Sequence, residues 1–196
     1  MVEFDPIEEV EPEEPAESQP TALQQVRDFF VELVMTVARA AILAFFIIYF
    51  VAQANVVNGQ SMEPNLHGDQ RLIVEKVSYR FTEPTRGDVV VVQVSETDVP
   101  LIKRVVGLPG ETVQIRNNQV FVNGEPLEES YLPTPNMRNY GPVEVEEDAF
   151  FVMGDNRNAA RDSRVFGAVT EDQIVGRAWV SFWPVNDIGV VRLAKA

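Results

Sequence analysis

The chain has 196 residues and a formal net charge of −14, with no cysteine and a single histidine, His67. These counts exclude thiol catalysis, disulfides, cysteine-based metal sites and two-histidine metal sites, and any Ser-His-Asp triad would have to use His67. The length allows one domain with a real core plus an anchor. Because the chain is acidic, nucleic-acid binding has no electrostatic support and no nucleic-acid partner is expected.

The first twenty residues carry eight acids and four prolines, and they contain neither lysine nor arginine. Such a segment has too little apolar surface to offset the entropy lost on ordering. We therefore predict a disordered acidic tail over residues 1–22.

An apolar stretch follows, and we predict a transmembrane anchor within residues 23–54. Val34–Ala52 is apolar except for Thr36 and Arg39, and as a helix it would span ~28 Å, close to the thickness of a bilayer core. Arg39 can extend its charged end to the headgroups. Arg27 and Arg39 on the N-terminal side favour a cytoplasmic N-terminus by the positive-inside rule.

Two other interpretations of this stretch stay open. The sequence Ala52-Gln53-Ala54 resembles the small-residue site at which a secretory signal is cleaved, although the leader would be unusually long and acidic. The stretch could also be the core helix of a soluble domain. Its length favours the membrane anchor.

Residues 55–196 show short runs rich in β-branched residues, bounded by turn residues, which predict an all-β, mostly antiparallel domain. The dipeptides Asn117-Asn118 and Asn123-Gly124 predict tight turns on either side of one strand. The predicted strands cover Arg71–Val77, Asp88–Val94, Leu101–Val106, Thr112–Arg116, residues 119–122, Val143–Met153 and Val175–Trp183.

Ser61 lies in a loop just after the anchor, with Gly59 before it and Pro64 and Gly68 after it. A glycine two residues before a serine lets backbone approach a ligand closely. The segment has no G-x-S-x-G elbow, so by itself it favours an ordinary loop serine. His67 lies six residues further on and is an alternative base.

Lys103 lies within an apolar strand, on the same face as Leu101 and Val105. A strand lysine often protects a sheet edge from aggregation. A buried one loses solvation, its pKa falls, and the neutral amine can take a proton from a serine.

The segment 153–167 concentrates five charged residues in a glycine-bounded loop. Such a run is often only a solvated surface loop. Alternatively, its acids pair with Arg104 or with the arginines of the loop and so support the catalytic strand. The charged residues are Asp155, Arg157, Arg161, Asp162 and Arg164.

Taken together and in this order, four segments resemble bacterial type I signal peptidases over roughly residues 55–180. They are Gly59-Gln60-Ser61-Met62-Glu63-Pro64-Asn65-Leu66; Arg86-Gly87-Asp88-Val89-Val90; Lys103-Arg104-Val105-Val106-Gly107-Leu108-Pro109-Gly110-Glu111; and Gly154-Asp155-Asn156-Arg157 followed by Asp162-Ser163-Arg164 and Phe166-Gly167.

The resemblance implies a membrane-bound serine endopeptidase that removes signal peptides from exported preproteins and needs no metal or cofactor. Ser61 would be the nucleophile, Lys103 the general base, and backbone at Ser61 and Gly59 would hold the oxyanion. The expected location is the plasma or inner membrane, spanned once, with residues 55–196 as the peptidase domain on the extracytoplasmic side. Expected substrate contacts are Val57, Met62 and Ile102, and expected structural supports are Arg104, Asp155, Asp162 and Arg164.

Two positions depart from the pattern of many members. Gly59 stands where some members have a hydroxyl residue that helps to hold the oxyanion, as in another branch of the family. Ala160 stands where many members have a serine that helps to orient the lysine, so Ala160→Ser is predicted to raise turnover.

Two other functions are compatible with parts of the sequence. A self-cleaving Ser/Lys repressor-type peptidase would share the chemistry, but the anchor and the absence of a DNA-binding module argue against it. A catalytically inactive, membrane-tethered binding protein would share the architecture, and the presence of both Ser61 and Lys103 argues against that.

Overall fold

The computed structural model describes residues 21–95, 97–133 and 136–191. Helix α1 spans Ala22–Phe46 and continues as a π-helical segment over Ile47–Val51. The helix begins at a capping box, because the Thr21 N–H donates to Gln24 Oε1 at 2.9 Å and the Gln24 N–H donates to Thr21 Oγ1 at 3.4 Å.

The helical segment Ala22–Val51 is 30 residues long and apolar enough to cross a membrane. None of the residues of α1 is buried. The predicted acidic tail lies outside the described residues except for Thr21 and Ala22, and Ala22 already belongs to the helix.

The end of the predicted anchor differs from the structure. Residues 52–54, which we assigned to the anchor, lie in strand β1 (Ala52–Val56), where Ala52 pairs with Glu75 and Ala54 with Ile73. The polar residues Gln53 and Asn55 interrupt the apolar stretch only after this boundary, and so short an alternation does not by itself distinguish a strand from the end of a helix. Pairing with a distant strand decides the conformation instead.

The rest of the described chain forms eleven further strands, one short α-helix and three 3₁₀ segments, Ser78–Arg80, Glu171–Gln173 and Val185–Asp187. Their bounds are β2 Arg71–Glu75, β3 Val89–Val92, β4 Leu101–Gly107, β5 Thr112–Arg116, β6 Gln119–Val122, β7 Glu125–Pro126, β8 Tyr140–Glu144, β9 Ala149–Met153, α2 Ser163–Phe166, β10 Val169–Thr170, β11 Ile174–Trp183 and β12 Gly189–Val190.

The strands build two antiparallel sheets, which confirms the predicted all-β class. The larger sheet has the order β1-β2-β11-β3-β4-β9-β10, with β12 also paired to β11, and the smaller has the order β7-β6-β5-β8. Three apolar clusters form the core. The valines of β3 are buried on both faces, as in a central strand.

The predicted strand bounds agree best with the structure where tight turns flank the strand. Asn117, Asn118 and Asn123 all have positive φ, as the two predicted turns require. The predicted strand Val143–Met153 is wrong as a single element, because β8 and β9 belong to different sheets. The acidic residues at 146–148 form the turn between them, closed by the Ala149 N–H donating to the carbonyl of Glu146.

Strand β4 is the element that positions the site. It lies between β3 and β9, with Lys103 opposite Val90 and Arg104 opposite Met153. Gly154 therefore begins the following loop directly beside Arg104.

Candidate active site

Ser61 lies in the loop that connects β1 to β2. The turn after it is closed by the N–H groups of Asn65 and Leu66, both of which donate to the carbonyl of Met62. Gly59 has a φ of +73°, a backbone conformation that L side chains rarely adopt. Backbone conformation is therefore the physical reason for glycine at this position.

The loop that follows β9 contacts the backbone of Ser61. The Asn156 N–H donates to the carbonyl oxygen of Ser61 at 3.0 Å. A Cβ atom on Gly154 would lie 2.5 Å from the same oxygen and 2.3 Å from the Cβ of Ala160. Only glycine allows this approach, so Gly154 lets the two loops pack directly together.

Lys103 reaches Ser61 from β4. Its Nζ lies 2.9 Å from Ser61 Oγ and 2.8 Å from the carbonyl oxygen of Ile102, and only 1% of the residue is exposed. Burial lowers the pKa of Lys103 to about 8, although the carboxylates of Asp162 and Asp155 oppose that change. A neutral amine is therefore accessible near neutral pH.

A cleft of about 330 Å³ opens over this pair of side chains, lined by Asn58, Ser61 and residues 97–103. Of the three predicted substrate contacts, Ile102 lines this cleft. All three residues belong to one buried apolar cluster, in which Val57 and Met62 expose 1% and 0% of their surface. A direct contact of Val57 and Met62 with substrate stays a prediction.

The predicted structural supports form two ion pairs. Arg104 makes two hydrogen bonds to Asp155, at 2.8 Å through Nε and 2.6 Å through Nη2. Arg164 binds the buried Asp162 in the same manner, at 2.8 Å and 2.7 Å. The Asp162 side chain also accepts from the N–H groups of Gly154 and Arg164, so it fixes the loop and begins α2.

Comparison with known proteins identifies the family of the chain. The family model described as "Signal peptidase, peptidase S26" matches residues 30–183. The chain belongs to this family. Its members are serine peptidases, so the chain is a hydrolase.

Individual relatives extend the match to most of the chain. A signal peptidase I of Leptolyngbya laminosa is 43% identical over 192 residues, which cover 94% of this chain and 93% of the relative. A probable signal peptidase I-2 of Synechocystis sp. is 43% identical, with coverages of 83% and 77%. Signal peptidase I S of Bacillus subtilis is 38% identical, with coverages of 76% and 86%.

The alternative base of this S26 peptidase, His67, lies elsewhere. It is exposed and lines a different cavity of about 370 Å³ together with Gln70 and Asp187. Lys103 occupies the hydrogen-bonding position at Ser61 Oγ. Nothing in the described residues brings the imidazole to that oxygen.

Several contacts of the site were not predicted from the sequence. Asn65 lies in one of the family segments, but its contacts were not foreseen: it donates through Nδ2 to Asp155 Oδ2 at 2.8 Å and to the Tyr131 carbonyl at 3.1 Å. The carbonyl of Ile102 accepts from the Lys103 amine, and backbone acceptors carry no sequence signal. Tyr131 and Glu129 come from the connection between β7 and β8 of the small sheet, more than sixty residues from Ser61.

Proposed function

We propose that this chain is a membrane-anchored endopeptidase that removes N-terminal signal peptides from exported preproteins, with Ser61 as nucleophile and Lys103 as general base. The observation that carries the proposal is the separation of 2.9 Å between Lys103 Nζ and Ser61 Oγ at a buried position. The family and the names of its relatives supply the substrate class.

The reaction follows from the two groups. Neutral Lys103 takes the proton of Ser61 as Oγ attacks the carbonyl carbon of the scissile peptide bond. The resulting oxyanion is stabilised by backbone N–H groups at Ser61, in the turn that Gly59 shapes. Protonated Lys103 then gives its proton to the leaving amine, and an acyl-enzyme on Ser61 remains.

Deacylation uses the same base. Lys103 is neutral again after the amine departs, and it takes a proton from water as the water oxygen attacks the acyl carbon. Collapse of the tetrahedral intermediate breaks the bond to Ser61 Oγ, which regains a proton from Lys103. The products are the signal peptide with a new carboxylate and the mature protein with a new amine.

The anchor brings the site to its substrate. Ala22–Val51 is long enough to span a bilayer once, and the adjoining peptidase domain would lie on the extracytoplasmic side, where preproteins emerge. Ile102 and the residues on either side of the cleft would receive small side chains before the cut.

The decisive experiment incubates the purified full-length chain with one preprotein in detergent. We expect Ser61→Ala and Lys103→Ala to abolish cleavage with normal melting, and His67→Ala, the control, to cleave normally. Cleavage by Lys103→Ala, or its loss in His67→Ala, would contradict the proposed base. No cleavage by the parent chain would favour the inactive binding protein.

Topology has a separate test. The chain should stay with membranes through carbonate washing, and protease added from outside should digest residues 55–196 while sparing the N-terminal tail. A soluble product beginning at Asn55 would instead support the cleaved-signal interpretation.

A further inference from the structure

The connection over residues 127–133, here called the strap, lies against both loops that form the site. It follows β7 of the small sheet and is tied to that sheet by the Leu127 N–H, which donates to the carbonyl of Val120. It contributes two side chains, those of Glu129 and Tyr131, to the region around Arg104. Neither was recognised in the sequence.

The strap contacts the nucleophile loop directly. The carbonyl oxygen of Tyr131 accepts from Asn65 Nδ2 at 3.1 Å, and the same Nδ2 donates to Asp155 Oδ2 at 2.8 Å. Asn65 lies four residues after Ser61, in the turn closed on Met62. One amide group therefore joins the nucleophile loop to the strap and to the loop after β9.

The strap also covers the cation next to the proposed base. The guanidinium of Arg104 lies over the Tyr131 ring, 4.4 Å from its centre, a distance at which a cation and an aromatic face attract each other. Arg104 is 1% exposed and adjoins Lys103 on β4. The Tyr131 ring thus packs against Arg104, the next residue after Lys103 on β4.

A chain of hydrogen bonds also connects the strap to the loop after β9. The Tyr131 hydroxyl donates to Glu129 Oε1 at 2.6 Å, and Glu129 Oε2 accepts from Arg157 Nη1 at 2.7 Å. Arg157 Nε in turn donates to the carbonyl of Gly154, the residue that packs against Ser61. Burial and the neighbouring Glu129 raise the pKa of Tyr131, so its hydroxyl remains a proton donor.

We propose that the strap positions Ser61 relative to Lys103, with Tyr131 and Glu129 as positioning residues. The inference rests on the proposed Ser/Lys mechanism. A displacement of the nucleophile by about 1 Å can cost about a hundredfold in rate. The strap holds the nucleophile loop through Asn65, the Gly154 loop through Arg157, and β4 through Arg104, so it fixes all three elements that define the 2.9 Å separation.

The test measures kcat and KM of the full-length chain in detergent with an internally quenched signal-sequence peptide, well below the melting temperature. We expect Tyr131→Leu to lower kcat about tenfold or more with KM within about twofold. Tyr131→Phe and Glu129→Gln should each lower kcat by about two- to tenfold, the rate equivalent of one hydrogen bond.

Tyr79→Phe is the matched control. It removes the hydroxyl of a half-buried tyrosine, which donates to the carboxylate of Asp88 at 2.9 Å. This hydrogen bond is of the same kind as that of Tyr131 but lies at another place in the domain. Its kcat should equal that of the parent. A residue that only supports the fold would lower melting in both sets without this difference in kcat.

A double-variant cycle sharpens the test. Tyr131→Phe combined with Glu129→Gln should lose little more activity than the more damaged single variant, because both break the hydrogen bond from the Tyr131 hydroxyl to the Glu129 carboxylate. Multiplicative effects would show two independent roles and would overturn the proposal. So would a Tyr131→Leu kcat within about twofold of the parent, or a change confined to KM.

If Tyr131→Leu does not fold, Tyr131→Phe and Glu129→Gln decide by the same criterion. Ser61→Ala and Lys103→Ala are assayed in parallel. If they are inactive while the strap variants match the parent, the strap proposal alone fails. If Lys103→Ala is active, the mechanism fails and the strap proposal fails with it.

Discussion

Lys103 and Arg104 are consecutive cations on one strand, each 1% exposed, yet their surroundings are opposite. Arg104 makes two hydrogen bonds to the carboxylate of Asp155 and one to the carbonyl of Gly87. The Lys103 amine instead meets two neutral oxygens, Ser61 Oγ and the Ile102 carbonyl.

The difference separates a structural cation from a reactive one. A guanidinium that is paired with a carboxylate keeps its charge and joins two elements. An ammonium group buried beside neutral acceptors loses solvation without full compensation, so the pKa of Lys103 falls to about 8. The proposed base is therefore the cation that makes no hydrogen bond to a carboxylate, whereas Arg104 makes two to Asp155.

Removing the partner of Arg104 should have the largest effect on stability. We expect Asp155→Asn to lower the free energy of unfolding by ~3–5 kcal/mol, since it leaves a buried charge uncompensated. Glu75→Gln is the control, because its partner Arg177 is 29% exposed and the loss should be ~1 kcal/mol or less. Chemical denaturation measures both, and equal losses would show that burial does not distinguish the pairs.

Removing the charge of Lys103 should have the opposite sign. Below pH about 8 the Lys103 amine is charged in both the folded and the unfolded chain, so the folded chain bears the full cost of burying the charge. Between pH about 8 and 10.5 the unfolded chain binds more protons than the folded chain, so the free energy of unfolding rises with pH. Lys103→Met should therefore raise the free energy of unfolding at pH 7 by ~1–3 kcal/mol.

This gain should shrink as the pH approaches about 10.5, the ordinary value for lysine. Denaturant titrations at pH 7 and above pH 10 provide the measurement. A gain that does not change with pH would mean that packing, rather than charge, produces it.

The same pKa governs activity. We expect kcat/KM for a signal-sequence peptide to rise with pH through an apparent pKa of about 8 as Lys103 becomes neutral. The rate of the peptide cleavage is measured from pH 6 to pH 10, with His67→Ala as a control whose profile should match. A rising limb close to 10.5 would remove the argument from burial.

The smallest effect is expected at Ala160. Ala160→Ser should raise turnover by less than about tenfold, the limit set by one neutral hydrogen bond to the lysine amine. The Ile102 carbonyl already holds that amine at 2.8 Å. Equal or lower turnover, with unchanged melting, would show that this carbonyl is sufficient to orient Lys103.

Local rules in the sequence predicted much of the architecture. The hairpin between β5 and β6 follows from two asparagines that adopt positive φ, and β-branched runs place β3 and β4. The boundary at Val51 and the break between β8 and β9 were missed, because each depends on which distant strand is available for pairing.

The candidate site divides in the same manner. Ser61, Lys103, Arg104 and Asp155 were found because four segments together resemble one family. Val57 and Met62 were expected to contact substrate; both lie in a buried apolar cluster, and that contact stays a prediction. Tyr131 and Glu129 were missed, and so were the contacts of Asn65, because hydrogen bonds between residues far apart in sequence leave no local pattern.

The sequence by itself determined the residue types of the chemistry, an apolar segment of membrane length and an antiparallel β domain, because these depend on composition, hydropathy and short-range periodicity. Only the tertiary structure decided the surroundings of the two cations: Lys103 Nζ lies at Ser61 Oγ and the Ile102 carbonyl, and Arg104 is paired with Asp155. These contacts depend on which elements pack on each face of β4, and no local pattern in the sequence records that packing.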